Sequence, residues 1–338
     1  IDGEMLATVV LGEAFEAVDM HTCLFRSTDF GETWENEGRL YSGTKDRITS
    51  DYSRISILPD GELIVLMLRA DRSGHMDEGL TNSETLGFVP TDFIIFRSMD
   101  HGHTWNGPNV IDSPLGDTPL ELCSPITPVK DGRYFIPTST WKYWDGSIPA
   151  GYRMVALVTH DHGKSWTESV DIMVDPKQEI QYWESKIIEI SDNRLLAVAW
   201  AYNHVHKKDL PNQFVLSSDG GRSWSKPQST GLSGQTLTPF LLDDGRIFSV
   251  YRRMDKPGLW ANISRIKDDQ WINESSEPLW GQNVTGLTGE GDNMTHLFNV
   301  LKFGAPCITR LPDGAIFIAF WGVENSISVI RWFKLTEI

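Results

Sequence analysis

"RSTDFGETW" occupies residues 26–34, and "RSMDHGHTW" occupies residues 97–105. Their shared core, Ser/Thr-x-Asp-x-Gly-x-Ser/Thr-Trp, returns as "THDHGKSW" at 159–166 and "SSDGGRSW" at 217–224. A worn copy, "SRIKDDQW" at 264–271, keeps the Ser-to-Trp spacing but lacks the Asp and the Gly. Good copies follow apolar runs such as "DFIIF" and "MVALV", which read as strands. The Asp carboxylate can accept hydrogen bonds from turn amides, and the Gly supplies the positive φ of a tight turn. The Trp returns on the next strand and can cover the turn. The motif therefore reads as a corner of the scaffold, with no need to touch a substrate.

Working outward, a second pattern alternates with the first: apolar strand, Asp-Gly or a variant of it, apolar strand. It appears as "SRISILPDGELIVLML", "SPITPVKDGRYFIP", "SKIIEISDNRLLAVAW", "TPFLLDDGRIFSVY" and "PCITRLPDGAIFIAFW". The two patterns together give strands A, B, C and D of one antiparallel sheet. Repeated around an axis, such sheets form a β-propeller, which leaves only short protected edges. The expectation is a single all-β domain over residues 1–338, a six-bladed β-propeller of four-stranded antiparallel blades. Inner strands are expected to start near Ser53, Ser124, Ser185, Thr238 and Pro306. Blade one begins mid-unit at "DGEMLATVVLG" and blade six ends at "ISVIRWFKL". A closing stretch of roughly two strands, ~5–6 residues each, is therefore expected upstream.

Bulk properties exclude some functions. The net charge of −16 opposes a nucleic-acid partner, which needs a basic surface to neutralise phosphates. No apolar run reaches the length of a membrane span. Cys23, Cys123 and Cys307 lie far apart in apolar contexts, allow at most one disulfide and read as buried small hydrophobes. The chain opens without an initiator Met or a readable signal peptide. Sequons at Asn262, Asn273, Asn283 and Asn293 favour a secreted or periplasmic location over a cytoplasmic one. Oligomeric state is not encoded in any pattern found.

Aspartate-box repeats on six blades resemble the sialidase (neuraminidase) superfamily, and the resemblance covers most of the chain. It extends to "WESKIIEISDNRLLAVAW" at 183–200, which is similar to the family's fourth-blade signature and implies a catalytic role for Glu184. The family's nucleophilic Tyr position matches Ala305, and two of its arginine positions match Asn212 or Gln213 and Leu259 or Trp260. The first-blade arginine would lie upstream of Ile1. A related branch, the exo-arabinanases, works with two carboxylates on neighbouring blades. The resemblance thus implies a glycoside hydrolase acting on a terminal sugar, with a carbohydrate substrate and no cofactor or metal. The alternatives are a true exo-α-sialidase with rearranged arginines, a non-catalytic carbohydrate-binding propeller, and a polysaccharide lyase.

Strand A begins and strand B ends on the same rim, opposite the Asp turns, so the site is expected there. Glycoside hydrolysis generally needs two carboxyl groups. Glu184 is the first candidate, and Glu121 in "PLELCSPI" or Glu16 on the blade-one loop is the second. Substrate contacts are expected from Arg54, which interrupts an apolar alternation, and from Asp71, Arg72, His75 and Asp77 in "LRADRSGHMDEG". Trp141 in "STWKYWDG" offers an aromatic face for sugar stacking. His204 and Arg252 close strands of blades four and five, and the His204–His206 spacing lacks a third ligand for a metal.

Overall fold

The computed structural model describes residues 4–284, 287 and 301–336. They form an all-β, six-bladed propeller of antiparallel sheets, four of them four-stranded and two three-stranded. The first sheet joins β1 (Met5–Leu11), β2 (His21–Ser27) and β3 (Glu35–Arg39). The second joins β4 (Thr49–Ile57), β5 (Leu63–Asp71), β6 (Thr91–Ser98) and β7 (Asn106–Val110). The third joins β8 (Thr127–Pro128), β9 (Tyr134–Ser139), β10 (Arg153–Thr159) and β11 (Glu168–Val174). The fourth joins β12 (Ile180–Ser191), β13 (Arg194–Asn203), β14 (Lys208–Ser217) and β15 (Gln228–Ser229). The fifth joins β16 (Gly234–Leu241), β17 (Ile247–Arg253), β18 (Leu259–Lys267) and β19 (Gln270–Trp280). The sixth joins β20 (Phe303–Arg310), β21 (Ile316–Glu324) and β22 (Ile327–Leu335). No helix among the described residues is long and apolar enough to cross a membrane.

Two compact units divide the chain: Ile1–Gly151 with Val155–Val170, and Tyr152–Met154 with Asp171–Ile338. In the first, Ile64, Leu66 and Leu68 of β5 pack with Phe93 and Ile95 of β6 and with Trp166. In the second, Val250 and Leu259 pack with Phe303, Ile318 and Phe320, while Leu196 and Val198 pack with Phe214 and Trp271. Central strands such as β9 and β13 are buried on both faces, which is why they read as continuous apolar runs.

The repeated turn folds the same way in all four good copies. The hydroxyl of Ser27, Ser98, Thr159 or Ser217 accepts the N–H of Gly31, Gly102, Gly163 or Gly221 at 2.7–3.0 Å. The carboxylate of Asp29, Asp100, Asp161 or Asp219 accepts an N–H at 2.9 Å and a hydroxyl at 2.6 Å from the Ser or Thr four residues on. Trp34 and Trp105 donate their indole N–H to the carbonyls of Gly31 and Gly102. The worn copy folds differently. Asp268 and Asp269 both have positive φ and form a two-residue hairpin loop between Lys267 and Gln270, so β19 starts at once.

Two expectations, on the third inner strand and on the cysteines, are corrected. The inner strand of the third sheet shrinks to Thr127–Pro128 and an isolated bridge from Leu120 to Thr140. Pro125 and Pro128 remove two of the N–H donors a full ladder would need. Cys23 is buried, but Cys123 is only half-buried and Cys307 is exposed. Cys307 follows a bulge at 305–306, which changes the face that the next residue presents. Asn262 is 1 % exposed and donates to Ser264 Oγ and to Asn273 Oδ1, so that sequon is sealed in the β18–β19 ladder. The Asn293 sequon lies outside the described residues.

Candidate functional site

Glu184 sits near the start of β12, at an irregularity in its pairing with β13. Trp183 pairs with Trp200 and Lys186 with Val198, leaving Glu184 and Ser185 opposite Ala199 alone. At this bulge Glu184 has φ 54°. The same device recurs on the inner strands of the next two sheets. Thr236 (φ 57°) lies between the pairs Gln235–Arg252 and Thr238–Val250. Ala305 (φ 47°) lies between Gly304–Trp321 and Cys307–Ala319. Left-handed backbone at a residue with a Cβ costs about 1–3 kcal/mol each, and bulges of this kind re-aim side chains. Ala305, which occupies the place of the tyrosine implied by the family resemblance, is exposed on its bulge.

The bulges serve one carboxyl group directly. Thr236 donates its backbone N–H to Glu184 Oε2. The Thr236 hydroxyl is buried and has no hydrogen-bond partner among the described residues. Burial pushes the Glu184 carboxyl above the usual range; the positive Arg252 and the Thr236 N–H oppose this, and the negative Asp209 adds to it. Glu184 is therefore arranged to keep a proton longer than an ordinary glutamate, as a general acid requires.

Arg252 supplies the nearby positive charge and makes no ion pair among the described residues. It is 3 % exposed and stands opposite Gln235 in the β16–β17 ladder. Its Nε donates to Gln235 Oε1 at 3.0 Å and Nη1 donates to the Phe303 carbonyl at 2.7 Å. Gly304 makes this reach workable, since a Cβ there would stand 2.3 Å from Arg252 Nη1. Expected as a substrate ligand, Arg252 is a buried brace whose three nitrogens each donate to a protein acceptor.

Beside Glu184 lies an aromatic group. Trp183 packs 4.5 Å from Trp200 and 5.6 Å from Tyr202. His204 stacks on Tyr152 at 4.4 Å with planes 10° apart, and its Nε2 meets Gln181 Oε1 at 2.8 Å. Both rings are half-buried. At the other end of this sheet, Gly220 N–H donates to the Asn193 carbonyl, tying the repeated turn to the β12–β13 turn. Within the fourth sheet, the repeat and Glu184 thus stand at opposite ends.

The remaining candidates belong to the first unit. Glu121 is 4 % exposed and accepts a weak bond from Cys123 Sγ at 3.6 Å. Arg54 is half-buried and donates to the Ser53 carbonyl of its own strand. Glu16 is a strap rather than an open carboxylate: Oε2 accepts the Thr81 N–H at 2.9 Å and Oε1 the Thr81 hydroxyl at 2.8 Å. Arg72, expected on the rim, is wholly buried and donates to the carbonyls of Glu16 and Glu78 and to Ser50 Oγ. A guanidinium inside a loop cluster holds backbone carbonyls more readily than a solvated ligand. Asp71 pairs with Arg47 at 3.5 Å, His75 meets Glu78 at 2.6 Å and packs on Trp144, and Asp77 is exposed. Trp141 is a core residue: 6 % exposed, it stacks on Phe88 at 4.4 Å and donates to the Leu86 carbonyl. Its face is covered, so it offers no platform for a sugar. Among the described residues no three His, Cys, Asp or Glu side chains gather to hold a metal ion.

Sequence reasoning missed Thr236, Gln235, Tyr152 and Asp209. Asp209 had a weak signal, an acid at the head of a strand in "HKKDLPN". The left-handed bulges had none, since Glu, Thr and Ala carry no mark of positive φ.

Comparison with known proteins places the fold. No protein-family model matches the chain, and no curated protein matches it. Among solved structures, it is similar to a protein of unknown function from Dyadobacter fermentans, at 17 % identity and a TM-score of 0.71, covering 98 % of this chain and 90 % of that one. The NanB sialidase of Streptococcus pneumoniae matches at 13 % identity and a TM-score of 0.66, covering 98 % of this chain and 66 % of that one. An α-L-arabinanase of Penicillium chrysogenum, solved with arabinobiose, matches at 18 % identity and a TM-score of 0.64, covering 99 % and 91 %. At these identities the likeness is one of fold.

Proposed function

We propose that the chain is a glycoside hydrolase acting on a terminal sugar, with Glu184 as its general acid. One observation carries this reading: a glutamate is lifted onto a left-handed bulge and held by the N–H of an equivalent bulge on the next sheet, where burial raises its pKa above the usual range. Left-handed strain and the burial of a carboxyl group both cost stability, which suits a group kept for chemistry. In the reaction, the Glu184 carboxyl gives its proton to the glycosidic oxygen as the bond from that oxygen to the anomeric carbon breaks. The half-buried Tyr152–His204 stack, 6.1 Å from Trp183 at the His204 ring, would contact the substrate beside the acid, in keeping with the substrate contact expected of His204. The fold likeness to a sialidase and an arabinanase agrees with a carbohydrate substrate.

A sialidase with rearranged arginines finds less support. Two of its three candidate arginines, Arg72 and Arg252, are buried and bonded to protein carbonyls and side-chain oxygens. The test is sugar release from plant and host glycans, whose alkoxide leaving groups need a proton, with a panel of 4-nitrophenyl glycosides used only to find which sugar is accepted. Activity in the wild type, lost in Glu184→Gln with the fold retained, is the expected result. Glycan binding that survives Glu184→Gln, with no product from any substrate, would instead indicate a binding propeller.

A further inference from the structure

We infer that Asp209 is the second catalytic carboxylate of the Glu184 site, the base that activates water. The inference rests on the proposed hydrolase reading. It starts from the hairpin that carries Asp209. Ala199 pairs with Gln213 and Ala201 with Leu210, so Trp200 faces an extra residue in β14. This irregularity lets the Trp200 indole donate to Asp209 Oδ1 at 2.6 Å. Trp200 is 2 % exposed, stands opposite Trp183 and packs on it, and Trp183 immediately precedes Glu184. Gln181, Tyr202 and Asp209 are paired in turn across the sheet, so they share one face with Trp183 and Trp200. Two indoles thus fix Asp209 to the strand that holds the acid.

The bonding of Asp209 is sparse for a half-buried carboxylate. Among the described residues its side chain accepts only the Trp200 bond, and Oδ2 accepts none. It forms no ion pair among them, although Lys207 and Lys208 precede it in the chain and Arg252 is near enough for the two charges to be felt. Arg252 is turned away to Gln235 and Phe303. An anion that is anchored on one oxygen, with the other left open, suits a group that must accept a proton from outside the protein.

Its place in the sheet selects the role. β12 and β14 are separated by β13, roughly 10 Å across the sheet. Asp209 pairs with Tyr202, three residues along from the Ala199 that faces Glu184, which adds roughly 10 Å along the strands. The two backbones are therefore too far apart for a nucleophile pair, and the side chains must reach toward one another. Carboxyl groups of an inverting pair stand ~6.5–9.5 Å apart with a water between them, whereas a nucleophile pair needs ~5 Å. The step balances accordingly. Asp209 takes a proton from water, the water oxygen bonds to the anomeric carbon, the glycosidic bond breaks, and the leaving oxygen takes the Glu184 proton. Bulk water then returns one proton to Glu184 and removes one from Asp209.

The experiment uses whichever 4-nitrophenyl glycoside the wild type cleaves. Asp209→Ala should lose about 10²–10⁴-fold in kcat, and sodium azide should restore turnover by forming a glycosyl azide of inverted configuration. Asp209→Asn can keep the indole bond and the fold, and should be as slow as the alanine variant. The first sugar released by the wild type, followed by NMR, should have inverted configuration. Trp200→Phe tests the purely structural alternative: if it matches Asp209→Ala in every rate and azide rescues neither, Asp209 only holds the indole and the proposal fails. Retained configuration also overturns it. On a natural glycan of the same sugar, activity that is lost in Glu184→Gln but kept in Asp209→Asn sinks this inference alone, whereas a wild type that cleaves nothing sinks the hydrolase reading beneath it.

Discussion

Replacing Arg252 by Met removes a charge of similar volume and leaves its acceptors behind. The Phe303 carbonyl loses its 2.7 Å partner inside a core that Phe303 itself helps to seal, at 0 % exposure. An orphaned buried acceptor costs about 1–3 kcal/mol. Gln235 loses its bond as well, though it can turn its amide toward another group. A loss of at least about 1–3 kcal/mol is therefore expected, read as a fall of a few degrees in melting temperature at pH 7. The same change acts on the acid. Arg252 holds the Glu184 pKa down against burial. Without it, Glu184 keeps its proton to higher pH, so the alkaline limb of kcat/KM should move upward. Asp209→Asn removes a charge of opposite sign and should move the limb of its residual activity downward. Melting curves and pH profiles on the same glycoside check both. An Arg252→Met limb that moves to lower pH would refute the electrostatic reasoning. An unchanged melting temperature would refute the accounting of its hydrogen bonds.

Glu184→Gln should melt at a higher temperature than the wild type at pH 7. The folded-state pKa of Glu184 is raised, so the ionised form costs stability as pH rises through that value, and the gap should close below about pH 4, near the unfolded value. The turn aspartates carry the opposite sign. Hydrogen bonds from the Thr33 hydroxyl and N–H hold Asp29 at about 2, so its contribution persists above about pH 4 and is lost as pH falls toward 2. Asp29→Asn should therefore flatten the acid limb of stability in a melt series from pH 5 to 2 without touching the kinetics. Trp141→Ala should cost about 3–5 kcal/mol in denaturant titration, as for a truncated core aromatic. At a temperature where the variant is folded, its KM should remain that of the wild type, whereas Tyr152→Ala should raise KM more than it lowers kcat.

The propeller was legible because its corners are written in residue types that have one physical use. Asp and Gly at fixed spacing, followed by a returning Trp, specify a turn whose hydrogen bonds are local, and the four good copies make them. Where the letters wear away, the geometry changes with them, as at the two-residue Asp268–Asp269 loop. Proline content in "SPITPV" marks a broken ladder, but the regular rhythm of strands and turns around it reads as a strand and hides that mark. Glu184 was legible through family resemblance. Its environment was not, because that depends on bonds across sheets. Arg252 and Trp141 illustrate the difficulty: each looks like a ligand in one dimension, and only packing shows that the Arg252 donors reach Gln235 and Phe303 while the Trp141 ring lies on Phe88.

In the fourth sheet, the two ends handle their backbone differently. At the turn end of the fourth sheet, positive φ is carried by Gly220 and Gly221 in the repeat and by Asn193 in the facing turn, residue types that tolerate it, and Ser217 and Asp219 satisfy the local amides. At the other end, Glu184, Thr236 and Ala305 take the same left-handed conformation with a Cβ, on three successive inner strands. Propensity offers no reason for this. Had the bulges served only curvature, glycine would have been the less strained residue at all three. A side chain is worth the strain at Glu184 because the bulge turns a carboxyl group to the Thr236 N–H, and at Thr236 because the equivalent bulge frees that N–H from the ladder to receive it. The pair of bulges is then one device. Thr236→Gly should relieve strain and leave stability equal or higher, while loosening the backbone that grips Glu184. The consequence is a fall in kcat without a matching rise in KM, and a variant that lost stability and kept its kcat would show that the second bulge serves the scaffold alone.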